Sequence, residues 1–323
     1  MDEFNLISGE KLDSFFPEHI KGLKRVYMET GTDAMASIID DISNGSDPIK
    51  LWFPLNYCQD TIDKLLLKKS KLIIGKYVSI NELSLNGDFF HVVMFLHFNT
   101  YNKNVTKEIT HFKTKNEPII IEDFVHCPFD IDQLSGNFAF NSLRKVANLE
   151  IAVTYKIKSI SPAINDSSYR KMKTKAAELK TSFFETGNTE IEKEYLNLFS
   201  EAEENLKTDQ IIPASNDQVN RLEHVDITKI RELRTTNFNY LKSLLIDVPE
   251  IEVLTGDYMF LMISCKDRDA LRRALFKGHI FAPVHWLDSN SEISKHILSL
   301  PIDQRYSKHD MERIASVIKQ HYN

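Results

Sequence analysis

An acid, a histidine and a lysine follow one another in suggestive order in the middle of the chain. Ile119-Ile120-Ile121, behind Pro118, is a short apolar run that turns acidic at Glu122-Asp123 and then reaches His126. Lys145 comes 22 residues after Asp123. A buried strand that ends in an acid can face the ring nitrogen of an aldehyde cofactor such as pyridoxal 5'-phosphate. The protonated ring then withdraws electrons and stabilises a carbanion at the substrate carbon. The lysine supplies the amine for a Schiff base. It is nucleophilic when burial and nearby positive charge favour its neutral form, and Arg144 is the adjacent cation. Once freed by substrate, the same amine can carry protons between substrate carbon and cofactor. His126 is positioned to hydrogen-bond the ring oxygen or to stack on the ring.

Such a cofactor also needs a place for its phosphate. Thr30-Gly31-Thr32-Asp33 precedes Ala34, Met35, Ile38, Ile39 and Ile42, which share one helical face. Thr32 or Asp33 is the expected N-cap. The free N–H groups of a first turn attract an anion, and Gly31 lets a ligand approach the backbone. Asn44-Gly45-Ser46-Asp47-Pro48 is the expected stop.

The elements that must position these residues read as an α/β alternation. Strands are expected at 49–53, 71–78, 91–98 and 119–121, with a helix at 58–67. Near-continuous apolar strands predict a mostly parallel sheet covered on both faces. Ligands in such sheets sit beyond the carboxyl ends of the strands. Three clusters fall there: Asn56-Tyr57, His97 to Asn99, and Asp123 to His126. Residues 1–30 read as irregular with one short helix. A long charged helical stretch runs from Ser167 to about Leu206, broken at Gly187-Asn188. Beyond it come a helix at 227–245, an antiparallel pair at 251–254 and 258–264 turning at Gly256-Asp257, a helix at 267–276, a short strand at 280–283 and a last helix at 308–320. The expected division is a large cofactor-binding domain over 1–209, including the connecting helices, and a smaller α+β domain over 210–323.

Bulk properties narrow the function classes. The chain has 323 residues, is 42% hydrophobic and 27% charged, and carries a formal net charge of -6. An acidic balance argues against a general nucleic-acid binder, which needs a basic face. The one lysine-rich run, Arg170 to Lys180, reads as a solvated helix face. Cys58, Cys127 and Cys265 lack CxxC spacing, which excludes a disulfide scaffold or a cysteine-type zinc site and fits a reducing cytoplasm. No metal site and no membrane span is expected. Ten glycines without a GxGxxG or GxxxxGKS pattern argue against the usual dinucleotide and ATP enzymes.

Five segments together resemble the sugar aminotransferases of the DegT/DnrJ/EryC1/StrS type, which have the fold-type I aminotransferase fold. They are Ile119 to His126, Asn141-Ser142-Leu143-Arg144-Lys145, Gly31-Thr32-Asp33-Ala34, Phe53-Pro54-Leu55-Asn56-Tyr57-Cys58, and Leu300-Pro301-Ile302-Asp303-Gln304-Arg305-Tyr306. The order and spacing run over most of the chain. The resemblance implies that Lys145 is the Schiff-base lysine, Asp123 the partner of the pyridine nitrogen, and His126 a contact of the ring oxygen. Backbone groups of Gly31 and Thr32 would take the phosphate, and Tyr57 or Asn56 would lie over the ring. It further implies a homodimer that moves an amino group from glutamate to a nucleotide-linked keto sugar, for amino-sugar or surface-polysaccharide biosynthesis. The chain departs from the family pattern at two places. Phe140 stands where many members have a phosphate-binding serine, so Ser142 or Asn141 must substitute. Val146-Ala147-Asn148-Leu149-Glu150 replaces a glycine-rich stretch. A non-catalytic binding subunit and a sugar dehydratase using the same cofactor are the alternatives; the presence of Lys145 speaks against the second. No carboxylate clamp for glutamate is evident beyond Arg305.

Overall fold

The computed structural model of the chain describes residues 25–43, 48–80, 83, 85, 90–98, 105–116, 118–129, 131, 134–157, 167–254, 259–285 and 295–323. The expected helix within 1–24, the turn at Gly256-Asp257, most of the stop at 44–48 and Asn99 lie outside these residues.

The first half builds one seven-stranded sheet. Its elements are β1 (Arg25–Met28), α1 (Gly31–Ser43), β2 (Ile49–Pro54), α2 (Gln59–Lys68), β3 (Ile73–Tyr77), β4 (Phe90–Leu96), α3 (Val105–Asn116), β5 (Ile119–Asp123), β6 (Phe138–Ser142) and β7 (Ala152–Tyr155). A single 3-10 turn, Leu143–Lys145, follows β6. The strand order is β1-β7-β6-β5-β4-β2-β3. Pairing is parallel from β3 through β2, β4 and β5 to β6, and antiparallel where β7 joins β6 and β1 joins β7. The mostly parallel α/β sheet expected from the apolar runs is therefore present.

Central strands are apolar because both faces are covered. Ile120 and Ile121 have no exposed surface, and neither have Val92, Val93 and Met94 on β4. Each such side chain contributes roughly 1.5–3 kcal/mol by leaving water. β5 extends two residues beyond the expected 119–121 and ends at Asp123. β1 is a correction to the irregular reading of the N-terminal region. Its four residues alternate in burial and pair with β7 at the sheet edge, too short for periodicity to reveal.

A helical pair follows, α4 (Ser168–Thr186) and α5 (Thr189–Asn205). The break falls at Gly187-Asn188 as expected. Gly187 closes α4 in the left-handed region at φ 67°, and the Asn188 side chain caps α5 by accepting from Glu190 N–H. Arg170 is not a solvated lysine-rich face residue: it is buried and pairs with Glu29 at 2.7 Å.

Next come α6 (Asn216–Leu222) and α7 (Ile227–Leu244), then a three-stranded antiparallel sheet flanked by helices. Its elements are β8 (Ile251–Val253), β9 (Phe260–Cys265), α8 (Arg268–Lys277), β10 (Ile297–Pro301) and α9 (Lys308–Tyr322), and β9 is the central strand. The expected strand at 280–283 is not part of this sheet; β10 takes the third place. Residues 280–283 are apolar because Ile280 and Ala282 pack into the core under the sheet. Short apolar runs of this kind do not distinguish a strand from a buried connection.

Candidate functional site

The site begins where the parallel strands end. Asp123 closes β5 and Ser142 closes β6, and a cavity of about 270 Å³ opens beyond them. Its walls include Gly31 and Thr32 at the start of α1, Tyr57 and Cys58 before α2, Val125 and His126 after β5, and Arg144 and Lys145 on the turn after β6. Among the residues expected to act, Lys145, Asp123, His126, Gly31, Thr32, Tyr57 and Ser142 thus line one space. Asn56 and Asn141 do not line it. Successive strand residues point to opposite faces. Phe140 and Ser142 therefore face the cavity, whereas Asn141 turns away and donates to the Tyr155 hydroxyl at 3.3 Å.

Asp123 is held by its neighbours. The Tyr57 hydroxyl donates to Oδ2 at 2.5 Å, and the Val125 N–H donates to Oδ1 at 2.8 Å. Burial pushes the carboxyl up to about 6, against the pull of those two bonds and of His97 and Lys145. The acid is thus buried and ionised at neutral pH. Tyr57 does more than wall the cavity, since its hydroxyl ties α2's approach to the end of β5. Behind Asp123, His97 stacks on Phe124 with ring centroids 3.8 Å apart and meets Glu122 at 2.6 Å. Glu122 in turn accepts from Ser135 N–H at 2.7 Å and from Gly136 N–H, which fixes the loop that leads into β6.

Lys145 opens onto the cavity, and protein atoms crowd its amine. The residue as a whole is exposed, yet the loss of water around its amine lowers its pKa, and the Arg144 guanidinium lowers it further. Both raise the neutral, nucleophilic fraction. The 3-10 turn carrying it is braced from several directions. Arg144 Nη1 donates to the Tyr169 hydroxyl at 2.8 Å, and that hydroxyl donates to Glu150 at 2.7 Å. Glu203 on α5 lies 3.5 Å from Arg144 and 3.1 Å from Lys64 on α2. Gln218 on α6 accepts from Glu150 N–H at 2.9 Å, and Gln304 donates to the Val146 carbonyl at 2.8 Å. The stretch that lacks the expected glycines is therefore pinned by side chains from three other segments.

The α1 start is built differently from the sequence expectation. Neither Thr32 nor Asp33 caps the helix; the Thr30 hydroxyl does, accepting from Asp33 N–H at 3.2 Å. Asp33 is fully buried and instead pairs with Lys68 at 3.0 Å and accepts from Ile212 N–H at 3.1 Å. These bonds lock the first turn against α2.

His285 completes the lining and was not anticipated, because the segment before it read as a strand. It arrives from the three-stranded-sheet side, its Nδ1 3.0 Å from Ser299 Oγ. Its ring lies 5.0 Å from His126 and 5.3 Å from Phe98. Burial, together with the Lys145 charge, lowers its pKa to about 4, and His126 is likewise pushed well down by burial. Both imidazoles are neutral around pH 7. Arg305 is not in this cavity. It forms a two-pronged pair with Asp303, at 2.8 and 2.7 Å, beside a separate broad groove. Among the described residues no cluster of His, Cys, Asp or Glu is arranged to hold a metal, and no helix is long and apolar enough to cross a membrane.

Solved structures share this fold. TlmJ, an aminotransferase from Streptoalloteichus hindustanus, superposes with a TM-score of 0.61 at 12% identity, covering 98% of this chain and 91% of that one. The fold is that of the aminotransferases. PseC of Helicobacter pylori, an aminotransferase involved in the biosynthesis of pseudoaminic acid, gives a TM-score of 0.61 at 13% identity over 97% of this chain and 90% of its own. DesI, solved in the presence of its TDP-sugar product, gives 0.59 at 11% identity over 98% and 93%. No family model matches the chain, and no curated protein matches it. Within the aminotransferase fold the cavity lies at the carboxyl ends of the parallel strands, where such sheets place their ligands.

Proposed function

We propose that the chain is a pyridoxal-phosphate-dependent aminotransferase that moves an amino group from glutamate to a nucleotide-linked keto sugar. The observation that carries this reading is the meeting, in one cavity, of a buried ionised acid, a lysine of lowered pKa, a buried serine and a helix start. The residues fit the cofactor. Asp123 would face the ring nitrogen and Lys145 would bond the aldehyde carbon. Tyr57 and His126 would flank the ring, and Gly31, Thr32 and Ser142 would take the phosphate. Ser142 Oγ is buried with no hydrogen-bond partner among the described residues, as a donor awaiting an acceptor would be.

When bound, the cofactor supplies the electron sink for carbanion chemistry. The chain's own residues do the rest. With Tyr57 and Val125 donating to it against the effect of burial, Asp123 is ionised above about pH 6 and would there hold a proton on the ring nitrogen. Lys145 is poised to take a proton from the donor amino acid's α-carbon and return it elsewhere. His126 and His285, both neutral, form a low-charge wall that leaves the lysine as the main base. The likeness in fold to DesI and PseC supports a sugar acceptor, and a homodimer and a cytoplasmic location belong to the same reading.

Loading the purified protein with cofactor and L-glutamate in heavy water tests it. Exchange of glutamate's α-proton and release of 2-oxoglutarate are expected, followed by amino-sugar formation with a nucleotide-linked keto sugar. Bound cofactor without exchange would leave a binding subunit, and a deoxygenated sugar product would make the protein a dehydratase.

A further inference from the structure

The cavity has an anionic side and a cationic side. Asp123 is buried at the end of β5, and Arg144 lies on the turn after β6. Lys145 lines the same space. Two residues before Arg144 the lining holds Ser142, 98% buried, whose Oγ has no hydrogen-bond partner among the described residues. The starts of α1 at Gly31 and Thr32 and of α2 at Cys58 and Thr61 open on the same space. Unpaired N–H groups and the positive ends of two helices favour an anion there.

Among the described residues Arg144 makes no two-pronged pair with a carboxylate, although Glu203 and, beyond Tyr169, Glu150 both act on its charge. Its nearest partner is the uncharged Tyr169 hydroxyl, and Glu203 stands off at 3.5 Å while also serving Lys64 at 3.1 Å. Tyr169 and Glu203 hold the guanidinium in a fixed pose, and the cavity keeps it open to a ligand. A planar, permanently charged fork of this kind suits a phosphate better than a point charge does.

We propose that Arg144, with Ser142, is the phosphate-binding pair of this cavity, filling the part left empty by Phe140. This rests on the cofactor reading above for the identity of the phosphate's bearer, but not for the anion site itself. A dianionic phosphate would draw one charge-assisted bond from Arg144 and one bond from Ser142, at the α1 start.

The test compares pyridoxal 5'-phosphate with pyridoxal, which lacks the phosphate, by equilibrium titration of the full chain and its Arg144→Gln, Arg144→Lys and Ser142→Ala variants. Inorganic phosphate is titrated alone by calorimetry. Arg144→Gln should cut the preference for the phosphorylated compound by roughly tenfold or more, the scale of a charge-assisted hydrogen bond. Pyridoxal affinity should fall less than that of the phosphorylated compound, through the effect of the lost Arg144 charge on Lys145 alone, and Arg144→Lys should keep part of the preference. Inorganic phosphate should bind the unaltered chain and fail to bind Arg144→Gln. An unchanged preference in Arg144→Gln, or equal loss for both compounds, overturns the assignment. Phosphate binding that depends on Arg144, in a chain that ignores both aldehydes, would uphold the anion site while removing the cofactor reading. A chain that binds none of the three loses both.

Discussion

The two sides of the cavity are made by different means. The Asp123 side is built from the sheet and its immediate continuation: a strand end, the next N–H but one at Val125, and Tyr57 from the exit of β2, two strands away. The Lys145 side is built from afar. Its short turn is held by Tyr169 on α4, Glu203 on α5, Gln218 on α6 and Gln304 before α9. Backbone geometry thus places the acid, and side-chain networks place the base. Such networks couple their members, whereas an acid at a strand end depends on few partners.

That contrast sets the order of expected effects. Lys145→Ala should lower glutamate α-proton exchange by about a thousandfold, within the usual range for a positioned proton carrier; exchange measured by NMR checks it. Asp123→Asn should weaken cofactor binding by roughly ten- to a hundredfold, the value of one hydrogen bond to a charged group, read by titration. The same residue sets a pH limb. Its carboxyl is raised to about 6, so cofactor affinity should be full above that pH and fall as pH drops through it. For stability the sign is opposite. The folded chain holds this proton where the unfolded chain has released it, so this group's contribution to stability grows as pH falls from about 6 to about 4. Tyr57→Phe removes a bond that lowers the Asp123 pKa, and should shift the affinity limb to higher pH.

On the other side, Tyr169→Phe breaks the link between Arg144 and Glu150. A loss of about 1–3 kcal/mol in chemical denaturation is expected, because buried polar groups lose their partner. If that loss comes with weaker discrimination between phosphorylated and unphosphorylated cofactor, the network also positions Arg144. Gln304→Ala should cost about 1–3 kcal/mol in the same measurement, because it removes both the bond to the Val146 carbonyl and the one that Gln304 accepts from the buried Arg234 Nε at 2.8 Å.

This division also explains what could be read from the sequence. Ile119 to Asp123 was legible because a buried parallel strand is an unbroken apolar run, and Gly187-Asn188 was legible because each residue type suits its cap. Asp123, His126, Lys145 and Ser142 are near neighbours in the chain, so their meeting needs only β5, β6 and one turn. His285 was missed because it comes from a connection whose apolar residues mimic a strand. The bracing of Val146 to Glu150 was missed because Glu150 meets Gln218, and Val146 meets Gln304, 68 and 158 residues away. No local pattern carries such pairs. Asn141 was misplaced by a single step along β6, which is enough to turn a side chain to the opposite face.

The central claim is that Lys145 and Asp123 together hold an aldehyde cofactor. Its most direct measurement is the visible spectrum of the purified chain titrated with pyridoxal 5'-phosphate, beside the Lys145→Ala variant. The account predicts a saturable new visible band in the unaltered chain and none in the variant, with the band changing on addition of glutamate. A chain that gives no such band, or a Lys145→Ala variant that gives the same one, would contradict it.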